Sequence, residues 1–177
     1  MPLPKVKLRE LSLSDVEDRY KWSLDKQVTK HLVVPDKYPP FTREDTEQWI
    51  KLCISKSNGY EQRAVITEEE KHIGWVDLKN FDKVNKNAEL GIAIGDREYL
   101  GKGYGMSALL EMLRIGFLEF NLVKVWLRVD IDNLSAVKSY ERAGFINEGL
   151  MRKDRYRKGE FVDRYRFSIL KEEFIRV

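Results

Sequence analysis

The chain has 177 residues, of which 42% are hydrophobic, so it is long enough to bury one core, and we expect a single domain over residues 1–177. Its 32 basic and 29 acidic side chains leave a net charge of +3 with both signs interspersed, which argues against a nucleic-acid-binding protein. No apolar run approaches the roughly 18 residues of a membrane span, the N-terminus lacks a signal-peptide pattern, and one cysteine excludes an internal disulfide, so we expect a cytoplasmic protein without a membrane partner.

Metal ligands and reactive thiols are sparse in this sequence. His31 and His72 lie far apart without ligand-like spacing, so we expect no metal site. Cys53 falls on a predicted helix face with no histidine near it in sequence. An inert buried thiol is therefore the favoured interpretation.

The first third of the chain predicts one strand and two helices. Val6–Leu11 alternates like a short strand, and Ser14–Glu17 offers an S-x-x-E capping box before a helix that runs through Trp22. Prolines then predict an irregular loop. Thr42–Asp45 is a second, weaker box that opens a helix ending near Asn58.

The remainder alternates between strands and helices. Strands are predicted at Arg63–Thr67, Ile73–Leu78, Ala88–Ile94, Lys124–Asp130, Phe145–Met151 and Val162–Leu170. The strongest helix follows the third of these strands, where apolar residues recur at spacings of three and four from Met106 to Phe117. A further helix is predicted at Asn133–Ala143, closed by Gly144.

This order predicts an α/β (α+β) fold with a mixed, mostly antiparallel sheet of about seven strands and about four helices. The crossover from the Ala88–Ile94 strand through the long helix to Lys124–Asp130 is where a parallel pair is expected. The basic stretch Arg152–Arg166 is interrupted by acidic residues, which favours a solvated strand pair over a phosphate-binding patch.

Three glycines at alternate positions, Gly101, Gly103 and Gly105, stand directly before the long helix. Backbone amides at a helix N-terminus form an anion site, and phosphate is its usual occupant. The spacing fits neither a Walker A loop nor a dinucleotide fingerprint. A tight turn without a ligand stays open, but if a pyrophosphate binds here, a branched side chain at Gly103 is expected to fill its space.

The loop Leu100–Gly105 resembles the pyrophosphate loop of the GNAT superfamily of N-acetyltransferases, written [Q/R]-x-x-G-x-[G/A]. The x-x-G-x-G part is present, and Leu100 stands where glutamine or arginine is common. A second segment, Asn133–Phe145, resembles the acetyltransferase pattern N-x-x-A-x-x-x-Y-x-x-x-G-F. Glu148-Gly149, followed by Gly159 and Asp163, is similar to the subgroup of RimJ/RimL-type ribosomal-protein N-terminal acetyltransferases and spermidine/diamine acetyltransferases.

The resemblance implies acetyl-CoA as co-substrate and assigns residues to its binding. The strand before the loop would bind the pantetheine arm and polarise the thioester through its main chain, the loop would hold the pyrophosphate, and an asparagine would contact the coenzyme. The implied residues are Ile92, Ala93, Ile94, Leu100, Gly101, Lys102, Gly103, Tyr104, Gly105 and Asn133. Asn133 is also expected to cap its own helix.

Two catalytic residues are implied. Tyr140 lies seven residues after Asn133, so both fall on one helix face, and its phenol would protonate the departing thiolate. Without the surrounding motif, a core tyrosine with a satisfied hydroxyl would be favoured. Glu89 is the candidate general base for the amine, against a water chain or a surface carboxylate without a catalytic role.

The acceptor is less well defined by the sequence. The resemblance places its entry between Trp22–Trp49 and Met151–Val162, where acidic and basic side chains are mixed. We expect a protein or peptide N-terminal amine or another small primary amine, with spermidine or a diamine as the alternative. A coenzyme A sensor without turnover is the alternative from another class. A homodimer is possible, and neither the acceptor's identity nor the oligomeric state follows from the sequence.

Overall fold

The computed structural model describes residues 2–174. Within them the chain forms two compact units. The first unit contains the residues up to Asn80 together with Gly91–Met112, and the second contains Phe81–Leu90 and the residues from Leu113 onward. No helix in this part of the chain is both long enough and apolar enough to cross a bilayer.

Seven strands are formed within residues 2–174, as predicted. They are β1 (Val6–Glu10), β2 (Glu61–Thr67), β3 (His72–Asp82), β4 (Asn87–Ile94), β5 (Lys124–Asp130), β6 (Ile146–Arg157) and β7 (Glu160–Leu170). They form one mostly antiparallel sheet in the order β1-β2-β3-β4-β5-β7-β6. The predicted parallel pair is present, since Asn87–Glu89 pairs with Lys124–Trp126.

Six α-helices are formed over the same residues, two more than predicted. They are α1 (Val16–Ser23), α2 (Lys26–Thr29), α3 (Arg43–Ile54), α4 (Tyr104–Leu118), α5 (Leu134–Arg142) and α6 (Lys171–Phe174). The additional two, α2 and α6, have four residues each, which is too short for a recurring apolar face.

The predicted capping box at Ser14–Glu17 is wrong. The N-terminus of this segment lies two residues earlier, at Ser12, whose N–H donates to Asp15 Oδ2 at 2.9 Å. A 3-10 turn at Leu13–Asp15 precedes α1, and the buried Asp15 is held there by Arg9. The ion pair between Arg9 and the buried Asp15 thus overrides the local sequence signal. The box at Thr42–Asp45 is confirmed, because each side chain accepts the other residue's backbone N–H.

Each unit buries its own apolar residues. In the first unit Leu11, Cys53, Ala64 and Ile66 form a cluster against Trp49. Cys53 is buried as expected, and burial raises the pKa of its thiol. In the second unit the largest fully buried side chains are those of Leu113, Phe117, Leu127, Phe167 and Ile169.

The late hairpin is longer than predicted. The β6–β7 ladder continues from Met151–Arg164 to Arg157–Glu160, past the predicted strand end. The expectation of a solvated strand pair at Arg152–Arg166 is confirmed, since most of its side chains are exposed or half-buried.

Candidate active site

The glycine-rich loop lies in the first unit and leads directly into α4. A short 3-10 turn, Arg97–Tyr99, is capped by Asp96, whose carboxylate accepts the Glu98 N–H at 3.0 Å. Leu100 and Lys102 are exposed. Tyr104 begins α4 and packs edge-on against Tyr99, with ring centroids 5.0 Å apart. The first amides of a 15-residue helix therefore follow the loop and lack intrahelical partners.

The three glycines of the loop differ in the space that a side chain would find at each position. Gly101, with φ of +70°, faces open space, since a Cβ there would meet nothing within 4 Å. Gly103, with φ of +91°, faces the N-terminal segment, and its Cβ would lie 3.0 Å from Pro4 Cδ. Gly105 would contact Ile94 Cγ1 at an ordinary 3.7 Å. A side chain at Gly103 would thus first meet the N-terminal segment, whereas Gly101 leaves free space, and the expectation that a branched side chain at Gly103 fills the pyrophosphate space stays a prediction.

The end of β4 is held by close packing within the first unit. A Cβ at Gly74 would lie 2.3 Å from the Ala93 carbonyl oxygen, so β3 approaches β4 more closely than a side chain permits. A Cβ at Gly95 would lie 2.1 Å from Trp22 Cδ2. The ladder between β4 and β5 stops at Glu89, before Ile92, Ala93 and Ile94. The main chain of these three residues is thus fixed, and it lies beyond the last pair of that ladder.

Glu89 lies in the second unit at the last parallel pair, opposite Trp126. Its buried carboxylate accepts two hydrogen bonds from Arg128, from Nε at 2.9 Å and from Nη2 at 3.0 Å. The Asp154 carboxylate lies 3.9 Å from Arg128 Nη1. Glu89 is therefore a buried, paired carboxylate and not a surface strand-end residue.

Tyr140 lies on α5 in the second unit, where its ring packs against Phe145 and Phe167 at centroid distances of 5.9 and 6.4 Å. Among the residues described, no group hydrogen-bonds its hydroxyl. Burial raises the pKa of Tyr140 to about 12, because the phenolate loses solvation. The phenol is protonated at neutral pH, and its oxygen has no protein partner to satisfy it.

Asn133 is the N-cap of α5, as predicted from the sequence. Its side-chain oxygen accepts the Ala136 N–H at 3.4 Å, and Val137 N donates to its carbonyl at 3.0 Å. Its side-chain NH2 group donates to no protein group among residues 2–174. Asn133 and Tyr140 therefore stand one at the start of α5 and one near its end, on the same helix.

The predicted site residues thus fall into two sets. The first unit brings together the end of β4 and the glycine loop, and the second unit carries the two candidate catalytic side chains and the helix cap.

A family model described as an acetyltransferase (GNAT) domain matches residues 5–146. The chain belongs to this family.

Similar proteins span nearly its whole length. The N-acetyltransferase p20 of Bacillus licheniformis, itself described as uncharacterised, is 28% identical over 96% of this chain and 95% of its own. Spermidine N(1)-acetyltransferase of Escherichia coli K12 is 29% identical over 96% and 88% of the two chains. The crystal structure of Vibrio cholerae spermidine N-acetyltransferase with CoA and spermine superposes with a TM-score of 0.86, at 24% identity over 97% and 98% of the chains, and shows the same fold.

This GNAT protein is an N-acetyltransferase that transfers an acetyl group from acetyl-CoA to an amine. The resemblance inferred from its two sequence motifs is confirmed. The residues that would hold the co-substrate fit it in one respect: a Cβ at Gly101, three residues before the start of α4, would meet nothing within 4 Å.

Arg128, the hydrogen-bond partner of the candidate base Glu89, is a residue that sequence reasoning missed. It lies two residues after Trp126 on β5, in the alternating pattern of an ordinary strand. Its partner Glu89 is 39 residues away on β4, and only the parallel register brings the two together. The alternation of β5 was visible in the sequence, but the register was not.

Several carboxylates in the predicted acceptor regions already form hydrogen bonds or ion pairs with other groups of the protein. Asp25 caps α2 through the Gln27 N–H and pairs with Arg97 at 2.8 Å. Asp45 accepts from Thr42 at the start of α3. In the second unit, Asp154 accepts from Arg164 Nε at 2.6 Å. These three carboxylates are each committed to a neighbour within their own unit, which limits their use for a polycation.

Proposed function

We propose that this GNAT enzyme acetylates a primary amine by direct attack on the thioester, with Tyr140 as the general acid. The amine nitrogen bonds to the thioester carbon, the carbon–sulfur bond breaks, and the sulfur takes the phenolic proton. The proton that the acylated nitrogen must lose then returns to the phenolate, which restores Tyr140. The single observation that carries this role is the Tyr140 hydroxyl, which has no hydrogen-bond partner among residues 2–174. A core tyrosine with a satisfied hydroxyl, the competing interpretation, does not account for it.

The end of β4 supports the second requirement, a polarised carbonyl. A main-chain N–H from Ile92, Ala93 or Ile94 would donate to the thioester oxygen, and one such donor contributes about 3 kcal/mol to transition-state stabilisation. The tight packing of β4 against Gly74 and Trp22 supports this role, because a fixed donor needs no rearrangement during the reaction. The pantetheine arm would use the remaining main-chain groups.

The loop residues Leu100, Gly101, Lys102, Gly103, Tyr104 and Gly105 would hold the pyrophosphate through main-chain amides. Asn133 would contact the coenzyme with its side-chain amide. Support comes from the open space at Gly101 and from the orphan amides of α4.

Glu89 would accept the proton that the ammonium form of the acceptor must lose. The Arg128 guanidinium donates to both carboxylate oxygens of Glu89, which fixes the orientation of this side chain. A water chain that delivers the proton to solvent is the alternative, and the test of Glu89 below separates the two.

The acceptor we favour is a peptide or protein N-terminus or another small primary amine. A polyamine is the second candidate, because relatives are named spermidine acetyltransferases and a neighbouring structure contains spermine. The commitment of Asp25, Asp45 and Asp154 to local partners weighs against the several convergent carboxylates that a polycation requires.

The test is an acetylation screen with acetyl-CoA and free thiol release as the readout, across spermidine, aminoglycosides and short peptides with varied N-termini. Acetylation of at least one primary amine class, lost in Tyr140→Phe, is the expected result. Tight acetyl-CoA binding without transfer to any amine would instead identify a coenzyme A sensor.

A further inference from the structure

A guanidinium in the first unit is held by stacking and not by a carboxylate. Arg19, on α1, places its Cζ 3.6 Å from the ring centroid of Trp75 on β3. Trp75 stacks in turn on Trp22, with centroids 6.2 Å apart and planes 19° apart. We call Arg19, Trp75 and Trp22 the tryptophan–arginine stack. Since guanidinium N–H groups lie in the plane of the group, a stacked arginine still donates sideways.

Few of the five donors of Arg19 are used. Its one hydrogen bond among residues 2–174 runs from Nη1 to Gln62 Oε1 at 3.3 Å. No carboxylate in the described part of the chain lies within ion-pair distance of it. Partial burial of a guanidinium that has unused donors and no counter-charge costs free energy, and a bound anion would offset that cost.

The nearby carboxylates are already engaged by other groups. Asp15 accepts from both terminal nitrogens of Arg9, at 2.8 and 2.6 Å. Asp77 accepts from Lys79 Nζ at 3.0 Å and from Gln62 Nε2 at 3.3 Å. Burial lowers the pKa of Arg19 to about 10, so its guanidinium is still charged at neutral pH.

Two connections lead from this guanidinium to the end of β4. The tryptophan–arginine stack ends against Gly95, directly after Ile92–Ile94. The second connection runs through Gln62 to Asp77, whose Oδ1 lies 2.9 Å from the position of a Cβ at Gly91, directly before them. Arg19 is therefore connected, through Trp22 and through Asp77, to the residues on either side of Ile92–Ile94, the segment that would polarise the thioester.

We propose that Arg19 binds a carboxylate of the acceptor, so that the acceptor is an amine that also carries a carboxylate, such as an amino acid or a short peptide. The proposal rests on the function proposed above, because it assigns the acceptor of that same site. A carboxylate matches the planar fork of a guanidinium with two hydrogen bonds. A polyamine would bring further positive charge to Arg19, where the half-buried surroundings screen repulsion poorly.

The experiment compares L-amino acids with their α-amides as acceptors, alongside spermidine, for the wild-type enzyme and Arg19→Met. Methionine keeps much of the side-chain length without the charge. The wild-type enzyme should prefer the acid over the amide by about 10- to 100-fold in kcat/KM, as expected for a charge-assisted hydrogen-bonded pair. In Arg19→Met this ratio should fall to about one, while Arg19→Lys, which keeps a charge but not the fork, should give an intermediate ratio.

Arg166→Met is the matched control, because the Arg166 guanidinium also stacks on a tryptophan, with its Cζ 4.1 Å from the Trp126 ring centroid, but already pairs with Glu148 at 3.2 Å. It should leave the acid-to-amide ratio at the wild-type value. Equal use of acids and amides by the wild-type enzyme, a preference for spermidine, or a parallel loss of both substrates in Arg19→Met would each overturn the proposal.

A binding measurement distinguishes failure of this proposal from failure of the proposed function. Calorimetry with N-acetyl-L-amino acids and the matching N-acetyl amides needs no turnover. Tighter binding of the acids, lost in Arg19→Met, supports the carboxylate site even if no acceptor is acetylated. Equal binding of acids and amides, or no binding of either, rejects the site whether or not amines are acetylated.

Discussion

Glu89 accepts two hydrogen bonds from the Arg128 guanidinium, at 2.9 and 3.0 Å, across the only parallel ladder among the described strands. This pair has two possible consequences for catalysis. Arg128 either orients Glu89 as a base for the amine, or the pair is structural and water takes the proton. In the two roles, the fall in kcat that follows removal of the carboxylate depends differently on pH.

Glu89→Gln keeps the shape of the side chain but removes its capacity to take a proton. If Glu89 is the base, kcat should fall at least about 100-fold at pH 7, and the deficit should shrink as pH rises and more of the acceptor amine is already neutral. Rates from pH 6.5 to 9.5 test this. Glu148→Gln is the control, since Glu148, on β6, accepts hydrogen bonds from the side chains of Lys124 and Ser168. A pH-independent loss accompanied by a lower Tm would assign Glu89 to structure.

Tyr140→Phe removes only the hydroxyl, which has no partner in the described protein. Because no protein hydrogen bond is lost, the Tm should change by little. We expect kcat to fall by about 10- to 1000-fold with acetyl-CoA affinity nearly unchanged. Tyr165→Phe is the control, since the Tyr165 ring also packs against Phe167, at a centroid distance of 6.3 Å, and this variant should keep wild-type kcat. Equal losses of coenzyme affinity and kcat would mean that Tyr140 is structural.

The alkaline side of the pH profile reports on the same phenol. Tyr140 donates a proton only while protonated, and burial raises its pKa to about 12, above the ordinary value near 10. The raised pKa keeps the acid form present through pH 10, so kcat should show no decline from this group between pH 8.5 and 10.5. A decline centred at or below pH 10, absent from Tyr140→Phe, would contradict the assignment. Circular dichroism at each pH controls for unfolding.

Local signals in the sequence predicted local structure well. The bounds of β5, the helix after the glycines and the N-cap at Asn133 all follow from periodicity and from capping chemistry over a few residues. The parallel pairing of β4 with β5 followed from the handedness and length of the crossover. The two site motifs identified the family because each has fixed spacing within one short segment.

The features that the sequence did not predict come from contacts between distant segments. The partner of Gly103 is Pro4, about a hundred residues earlier, and nothing near Gly103 in sequence indicates it. The start of the first helical segment depends on the ion pair between Asp15 and Arg9 of β1. The tryptophan–arginine stack joins α1 to β3 in the same way. Such contacts follow from tertiary packing, which a single sequence pattern does not encode.

Asn133 has two separable roles, helix capping and coenzyme contact. Asn133→Asp preserves the cap, because aspartate is as good an N-cap and its charge suits the helix dipole. It removes the amide donor, so we expect an unchanged Tm but an acetyl-CoA Kd raised about tenfold, measured by calorimetry. Asn133→Ala should in addition lose about 1 kcal/mol of stability. Wild-type coenzyme affinity in Asn133→Asp would limit Asn133 to capping.

Gly101 and Gly59 form a matched pair for testing the loop. Both have left-handed backbone, with φ of +70° and +73°, and in both a Cβ would meet nothing within 4 Å. Alanine at either position should cost the same 1–2 kcal/mol or so of backbone strain, seen as similar falls in Tm. Only Gly101→Ala should weaken acetyl-CoA binding, by tenfold or more in Kd, because only Gly101 belongs to the loop that would hold the pyrophosphate. If both variants bind acetyl-CoA equally well, the glycine at 101 serves the turn alone, and the pyrophosphate is held elsewhere.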